Sequence, residues 1–572
     1  MKKSIILGTL AVCGLGLTSC EDFLNDNRFP ESQQTVNSEF WSNAVNVENQ
    51  INYFYENFLG YGNGTGSGNF YWNTLTDDQA GYPGANFKNW TFTNVPASSS
   101  SWNSPYIEIR RACNVIEGVE GSSLETTTAE DFLAKARMYR AWQYYKLVRA
   151  YGDVPLVEKA LDVTDEGILY GPRTNRNVVM DAALADLNYA IDHITTKANK
   201  NFFSRDMILA MKAEVCLFEA SYQQYVAKNM ERAKQFYNEV VSACTPLLSS
   251  YTIGSDYRAI YSSMRAELEA NPEIIFMKAY EETTLMHSLL DWTSSSTPVC
   301  GITKDAFDSY LFLDGKPLAS TTMDKNDKGV MVKEGDNNYL SIEAPLATRD
   351  KRLSQTIYPY VMFRGTGEDA IQDYKFVNTA RMTSTTGYGV FKYNNLSQTE
   401  ADVTTANRNW TSAPLFWLAE IALDYVEAKA ELGTLTDGDL TNTLNKLYAR
   451  AGLPAQTVAG LSSINDPANN MGVSSLIWEI RRCRRCEFIM DNDIRYWDLV
   501  RWNQLERLDT QKNPNIVLGA NITPSPIEAK NVNGYLDCSF GMTRTYTTRE
   551  NLYPIPNGQL NLNPELKQNP GW

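Results

Sequence analysis

The chain of 572 residues is poor in histidine and in long apolar runs. Its only histidines are His193 and His287, which removes most of the usual routes to general-base and zinc chemistry. Beyond a run from Ile5 to Leu17, no segment approaches the ~20 consecutive apolar residues that a membrane-spanning helix needs. The sequence therefore gives little support to a metalloenzyme or to a protein with several membrane-spanning helices.

The nine cysteines form no evident disulfide or metal-binding pattern. Cys13 lies in the apolar N-terminal run and Cys20 just after it, which leaves an odd number of seven. Cys483 and Cys486 form a Cys-x-x-Cys, but arginines surround them and no second pair or nearby histidine completes a tetrahedral site. We therefore expect neither a metal nor a cofactor.

Positive charge is also in short supply. There are 52 Lys and Arg residues against 67 Asp and Glu, and the formal net charge is −15. A surface with this balance repels the phosphate backbone of nucleic acids. Nucleic acid is therefore not expected as a partner.

The N-terminus has the pattern of an export signal. Lys2 and Lys3 precede the apolar run, and small residues follow it, so residues 1–19 are predicted to be a signal peptide. Leu17-Thr18-Ser19-Cys20 resembles a bacterial lipobox, which predicts lipidation of Cys20. Glu21-Asp22 resembles the acidic tag that directs such lipoproteins to the outer surface. The alternative is an ordinary secretory leader with an incidental cysteine.

Helical periodicity dominates the rest of the chain. Met180, Leu184, Leu187 and Ile191 share one helical face, and two further amphipathic helices follow after short connections. Helical pairs of about 34 residues that stack on one another are typical of tetratricopeptide-like repeats. The sequence predicts a mainly α fold, with a helical scaffold at about residues 37–59, 102–249 and 413–507.

Two stretches differ in composition from this scaffold. Residues 60–101 are crowded with Gly, Asn, Ser, Thr and aromatics, and residues 251–412 carry turn residues, scattered β-branched runs and few long helical patterns. We interpret both as loop-rich excursions from the scaffold. Loops held by a rigid frame are where binding sites usually lie.

Several motifs follow one another from the first long helix to the C-terminus. They include Trp102-x-x-x-Tyr106, Tyr151-Gly152-Asp153-Val154-Pro155, Arg495-Tyr496-Trp497-Asp498, Tyr553-Pro554-Ile555-Pro556 and Asn569-Pro570-Gly571-Trp572. In this order they resemble the SusD/RagB family of outer-membrane nutrient-binding lipoproteins, and the resemblance spans nearly the whole chain.

The resemblance implies that residues 20–572 form a single SusD-like domain on a tetratricopeptide-like core. It implies an outer-membrane, lipid-anchored protein that faces the cell exterior and delivers a captured glycan to a SusC-like TonB-dependent transporter. It does not imply catalysis. A peptide or another oligomer as cargo is the alternative within the family, and a glycoside hydrolase with two opposed carboxylates is a third interpretation.

A glycan site needs aromatic faces for the C–H surfaces of the sugar and polar groups for its hydroxyls. The stretch 69–92 supplies this mixture more densely than any other short segment. The same aromatics could instead pack the loop against the scaffold. The candidate ligand residues are Trp72, Asp78, Tyr82 and Trp90 in this stretch, and Trp292, Arg364 and Tyr393 in the long excursion.

The family motifs themselves read as structural. Asp153-Val154-Pro155 is predicted to end a helix, and Trp572 to pack against the body of the protein. Arg495 and Arg501 are predicted to form ion pairs with the neighbouring Asp493 and Asp498. None of these motif residues is predicted to contact ligand.

Overall fold

The structure, a computed structural model, describes residues 38–63, 68, 75–81, 90–294, 300–334, 337–362, 384–491, 493–524, 531–539 and 541–572. The predicted signal peptide of residues 1–19 and the predicted lipidation site Cys20 lie outside the described residues. Three predicted ligand residues, Trp72, Tyr82 and Arg364, also lie outside them.

The N-terminal half is built of helices, and the predicted mainly helical scaffold is confirmed. A 3-10 turn at Tyr53–Asn57 follows the second helix. The helices are α1 (Ser38–Trp41), α2 (Ala44–Asn52), α3 (Ser100–Glu120), α4 (Thr126–Tyr151), α5 (Glu166–Leu169), α6 (Arg176–His193), α7 (Arg205–Tyr225) and α8 (Met230–Ser250).

These helices pack as successive pairs. Helix α3 packs on α4, α4 on α6, and α7 on α8. The side chain of Ser204 accepts a hydrogen bond from the backbone N–H of Met207 and so caps the start of α7. Leu187 and Ile191 of α6 are buried, as their spacing predicts. The apolar faces thus meet in a common core.

The long excursion contains short elements, which agrees with its loop-rich composition. A four-stranded antiparallel sheet has the order β2-β3-β4-β5. The elements are α9 (Ala259–Ser262), α10 (Arg265–Ala270), β1 (Ile274–Lys278), α11 (Leu289–Ser294), α12 (Lys304–Ser309), β2 (Val330–Glu334), β3 (Asn337–Ser341), α13 (Glu343–Ala347), α14 (Lys351–Thr356), β4 (Ile357–Met362), β5 (Gly387–Val390) and α15 (Glu400–Thr404).

The late scaffold starts with a strand, which corrects the prediction of helix from residue 413. Strand β6 (Ala413–Trp417) pairs antiparallel with β1, with Ile274 opposite Trp417 and Lys278 opposite Ala413. Pro414 explains the difference, because proline is excluded from helix interiors and pushes the preceding residue towards an extended conformation. The strand pair holds the two ends of the long excursion together.

The remaining elements are again mostly helical. They comprise α16 (Leu418–Glu431), α17 (Asp437–Asn442), α18 (Leu444–Ala451), α19 (Val458–Ser462), α20 (Ser475–Glu487), α21 (Ile494–Arg501), β7 (Leu518–Asn521), β8 (Asn531–Val532), β9 (Tyr535–Asp537) and α22 (Asn557–Leu562), with 3-10 turns at Leu505–Leu508, Pro514–Val517 and Thr548–Asn551. Trp572 packs as predicted, with its indole N–H donating to the carbonyl of Leu552 at 2.9 Å.

Two large apolar cores lie beneath these elements. The first joins the N-terminal helices to α16 and α21, and the second joins the long excursion to α18 and α20. Among the described residues, no helix combines the length and apolar character that crossing a bilayer requires.

Buried ion pairs link the late helices. Arg484 of α20 donates to Asp424 at 2.6 Å and to Asp498 at 2.8 Å. Arg501 donates to Glu427 at 2.6 Å and to Asp498 at 2.8 Å, so its predicted pairing with Asp498 is confirmed. Arg484 and Arg501 therefore have a structural role, because their ion pairs hold α16, α20 and α21 together.

Candidate functional site

The two loop-rich excursions meet at one place, which we call the loop junction and define by Ala80, Cys300, Gly301, Ser384 and Thr385. The N–H of Ala80 donates to the carbonyl of Gly301 at 3.1 Å, and the N–H of Thr385 donates to the carbonyl of Cys300 at 3.3 Å. The hydroxyl of Thr385 donates to the carbonyl of Ala80. Segments more than 200 residues apart in sequence are thus joined by a backbone hydrogen bond and by one from a side chain.

Glycine is required for this close approach. A Cβ built on Gly301 would lie 2.2 Å from the hydroxyl oxygen of Ser384 and 2.3 Å from that of Thr386. Real Cβ atoms do not approach other atoms so closely. Any larger residue at position 301 would therefore push the two parts of the long excursion apart.

Asp77 anchors the first excursion from within. Its carboxylate accepts from the Nε and Nη2 of Arg495 at 2.8 and 2.7 Å, and Arg507 and Arg485 lie at 3.3 and 3.6 Å. Burial would raise the pKa of Asp77, but the three guanidinium groups outweigh it and hold the pKa well below its usual value. Arg495 therefore pairs with Asp77, and the prediction of a local partner was wrong.

The pairing was missed because Asp77 and Arg495 are 418 residues apart in sequence. Ion-pair rules based on helical spacing reach only three or four residues. The contact depends on how the first excursion folds back onto α21. A local sequence pattern therefore cannot predict this ion pair.

Asp78, a predicted ligand residue, is buried beside Asp77. One of its oxygens accepts from the Nε of Arg485 at 2.6 Å, and its side chain is only 1% exposed. Burial raises the pKa of Asp78 above its usual value, although Arg485 and Arg495 oppose this. Asp78 is therefore buried in this structure. Direct ligand contact by Asp78 stays a prediction.

Trp90, another predicted ligand residue, is packed against the C-terminal region. Its indole N–H donates to the carbonyl of Thr545 at 2.9 Å, and its ring lies 6.2 Å from that of Tyr546. Only 8% of the residue is exposed. These contacts fit the packing alternative for this aromatic better than a stacking platform.

The Trp90→Ala variant separates the two roles. Because the indole is buried, we expect its loss to lower the free energy of unfolding by about 3–5 kcal/mol. The glycan affinity of the folded fraction should not change. Denaturant unfolding and affinity measurements on the same preparation test this. A fall in affinity by about 1–3 kcal/mol without loss of stability would instead identify Trp90 as a ligand platform.

Tyr393 and Trp292 occupy different environments in the long excursion. Tyr393 is fully buried and donates to the carbonyl of Met490 at 3.0 Å, a structural role. Trp292 is half-buried on α11 and packs on the second core, with its indole nitrogen buried. Of the candidates that the structure describes, Trp292 therefore has the most suitable position for ligand contact.

Within the described ranges, no group of three or more His, Cys, Asp or Glu side chains is arranged to hold a metal ion. Cys483 and Cys486 are buried, and burial raises their thiol pKa values to about 11 and about 12. Neither thiol is prepared for metal binding or for nucleophilic chemistry.

Family models were compared with the whole sequence. The model described as the SusD family matches residues 262–572, more than half of the chain. The chain belongs to the SusD family. A second model, described as starch-binding and associating with the outer membrane, matches residues 22–218. SusD membership and association with the outer membrane thus agree with the resemblance that the motifs indicate.

Individual relatives extend over the same length. A SusD-like protein of Formosa agariphila is 24% identical over 520 residues, which cover 88% of this chain and 92% of the relative. A SusD-like carbohydrate-binding protein from Bacteroides fragilis has a similar structure, with a TM-score of 0.67, 21% identity and coverage of 92% and 100%. Surface glycan-binding protein A from Bacteroides fluxus has a TM-score of 0.58, 16% identity and coverage of 93% and 100%.

These similarities confirm the mainly helical SusD-like fold. Proteins of the SusD family bind their ligands without catalysis, so this chain is a binding protein and not an enzyme. The hydrolase interpretation is thereby discarded. The tight packing of the loop junction shows how a SusD scaffold brings distant loops to one place.

Proposed function

We propose that this SusD-family chain captures an oligosaccharide or polysaccharide at the cell surface and delivers it to a SusC-like TonB-dependent transporter. The observation that carries this proposal is that both excursions meet at the loop junction. The scaffold that holds them is that of the SusD family, whose members are binding proteins. The names of structural relatives, a carbohydrate-binding protein and a surface glycan-binding protein, support a glycan as the cargo.

We also propose that residues 20–572 act as one anchored unit. Cys20 would carry the lipid, and Glu21-Asp22 would direct the protein to the outer face of the outer membrane. This orientation places the loop junction outside the cell, where polysaccharide is available. Pull-down of a tagged chain from native outer membranes tests the partner. Recovery without any TonB-dependent barrel would contradict delivery to a transporter.

The proposed ligand site lies beside the loop junction. In the sequence, Tyr82 directly follows Gly81, and Arg364 comes two residues after Met362. Both candidates lie outside the described residues, so ligand contact by either stays a prediction. An aromatic ring and a guanidinium group are the residue types that sugar faces and hydroxyls need.

Trp292 offers the clearest test of this site. If its ring is a stacking platform, Trp292→Ala should weaken glycan binding by about 1–3 kcal/mol, with little change in the unfolding curve. Trp572→Ala is the matched control, because Trp572 is also half-buried but packs on Arg549 at the C-terminus. Isothermal titration calorimetry measures the affinity of both variants for a glycan that the natural protein binds in affinity electrophoresis. Equal affinities in the two variants would remove Trp292 from the site.

A further inference from the structure

A second site candidate is a cavity within the helical scaffold, which we call the helix cavity. It has a volume of about 170 Å³ and lies between α4, α7, α16, α20 and α21. Leu59 and Asp493, both exposed, stand at its edge. Pockets for drug-sized ligands measure about 300–1,000 Å³, so this one has room for a single sugar unit and not for an oligomer.

Aromatic rings form much of the wall. Trp142 and Trp497 are both half-buried and line the cavity together with Tyr145 and Phe218. The rings of Trp142 and Tyr145 are 5.2 Å apart, and those of Trp497 and Phe218 are 6.3 Å apart. Two partly exposed indoles supply flat apolar faces of the kind on which the C–H surface of a pyranose can stack.

Two cations of α4 face the cavity, with Glu108 as the acidic neighbour of Lys146 and Glu214 as that of Arg149. Within the described part of the chain, neither Lys146 nor Arg149 forms an ion pair, and the Nε of Arg149 has no hydrogen-bond acceptor. The guanidinium of Arg149 instead lies 4.3 Å from the ring centre of Trp497. Burial lowers the pKa of Lys146 to about 8, and Arg149 adds to this effect. Two like charges in a half-buried position repel each other, and a bound anion offsets this repulsion.

The acidic groups that line the cavity are Glu214, Glu420, Asp493 and Asp498. Arg484 and Arg501 are already paired with Asp498, which also lines the cavity. Burial raises the pKa of Glu214 to about 7 and that of Glu420 well above its usual value, which favours the uncharged form of both. Glu214 accepts a hydrogen bond from the hydroxyl of Tyr145 at 3.2 Å.

One polar donor is also left unused. The indole N–H of Trp497 is buried and has no acceptor among the residues that the structure describes. A buried donor without a partner costs free energy. The cavity itself presents two cations and two half-buried indole rings to whatever enters it.

We propose that the helix cavity binds a single sugar unit that carries a carboxylate, such as a hexuronate. The carboxylate contacts the ammonium of Lys146 and the guanidinium of Arg149, which are one turn apart on α4. The sugar ring lies against an indole face. This site goes beyond the proposed capture of a glycan at the loop junction and does not depend on it.

The test is ligand-observed NMR titration of the full mature chain with glucuronate and with glucose at pH 6. We expect glucuronate to bind and glucose to bind at least tenfold more weakly, because glucose lacks the carboxylate. Lys146→Gln and Arg149→Gln should each lower the affinity for glucuronate at least tenfold. Lys146→Gln removes an unpaired, half-buried charge, so this variant should fold at least as stably as the natural chain.

Lys135→Gln is the matched control, because it makes the same change on the same helix. Lys135 pairs with Asp131 at 2.7 Å and lies three helical turns from Lys146. The affinity of the Lys135→Gln variant for glucuronate should equal that of the natural chain. Equal binding of glucose and glucuronate, no binding of glucuronate, or unchanged affinity in both cavity variants would overturn the proposal.

The two binding proposals fail separately. Trp292→Ala should leave glucuronate binding unchanged, because Trp292 does not line the helix cavity. If no polysaccharide is retained but glucuronate binds with the expected variant pattern, capture at the loop junction fails and the cavity site stands. If polysaccharide binds and glucuronate does not, the cavity proposal fails alone.

Discussion

Replacing Asp77 by Asn should lower the free energy of unfolding by about 3–5 kcal/mol, the usual effect of removing one partner from a buried ion pair. Asp77 is fully buried, and its carboxylate is shared by Arg495, Arg507 and Arg485. An uncharged amide removes the carboxylate that Arg495 pairs with and one of the anions near Arg485 and Arg507. Denaturant unfolding, followed by circular dichroism at neutral pH, measures the change.

Asp78→Asn is the matched control for Asp77→Asn. Asp78 is equally buried but has one close cationic partner, Arg485, and its second oxygen has no hydrogen bond among the described residues. Burial raises the pKa of Asp78, so its ionised form is less favoured than that of Asp77. We expect Asp78→Asn to cost only about 1 kcal/mol. Equal destabilisation by the two variants would contradict the central place of Asp77.

The effect of Asp77 should also depend on pH. Its pKa in the folded chain is lower than in the unfolded chain, so its pairing stabilises the fold above about pH 4. That contribution is lost as the pH falls through the folded-state pKa. The natural chain should therefore lose stability more steeply than Asp77→Asn as the pH falls below about 4.

Replacing Cys20 by Ser should release the protein from the membrane almost completely. A serine cannot carry the thioether-linked lipid, and each buried CH₂ of an acyl chain contributes about 0.8 kcal/mol to membrane attachment. Fractionation of cells into membrane and released protein measures the effect. Protease treatment of intact cells shows whether the anchored natural protein faces the exterior.

Cys13→Ser is the control for the anchor. It changes the same residue type in the same N-terminal stretch but leaves Leu17-Thr18-Ser19-Cys20 intact. Its distribution should match that of the natural chain. If Cys20→Ser stays in the membrane fraction as fully as Cys13→Ser, Cys20 is not the lipidation site, and the leader is an ordinary secretory signal.

Much of the scaffold could be predicted from the sequence, because long amphipathic helices repeat the same local pattern. Helices α6 to α8 fall within the predicted helical range, and Leu187 and Ile191 point into the core as their spacing requires. Strand β6 could not be separated from the helix that follows it by apolar content alone. Pro414 was the available signal, since it disfavours a helix at this point.

The ligand residues were harder to predict, for a physical reason. A tryptophan that stacks on a sugar and a tryptophan that fills a core need the same side chain, so composition does not separate the two. Trp90 is buried and donates from its indole to Thr545, whereas Trp292 is only half-buried. The helix cavity was missed because Lys146, Arg149 and Trp497 read as helix residues, and only the packing of α4 against α21 brings them together.

Affinity electrophoresis of the mature protein against a panel of polysaccharides tests capture of a glycan most directly. We expect at least one polysaccharide to retard the natural protein, and Trp292→Ala to restore much of its mobility while Trp572→Ala does not. Unchanged mobility in every gel, together with binding of oligopeptides by the same preparation, would contradict a glycan cargo and favour the peptide alternative.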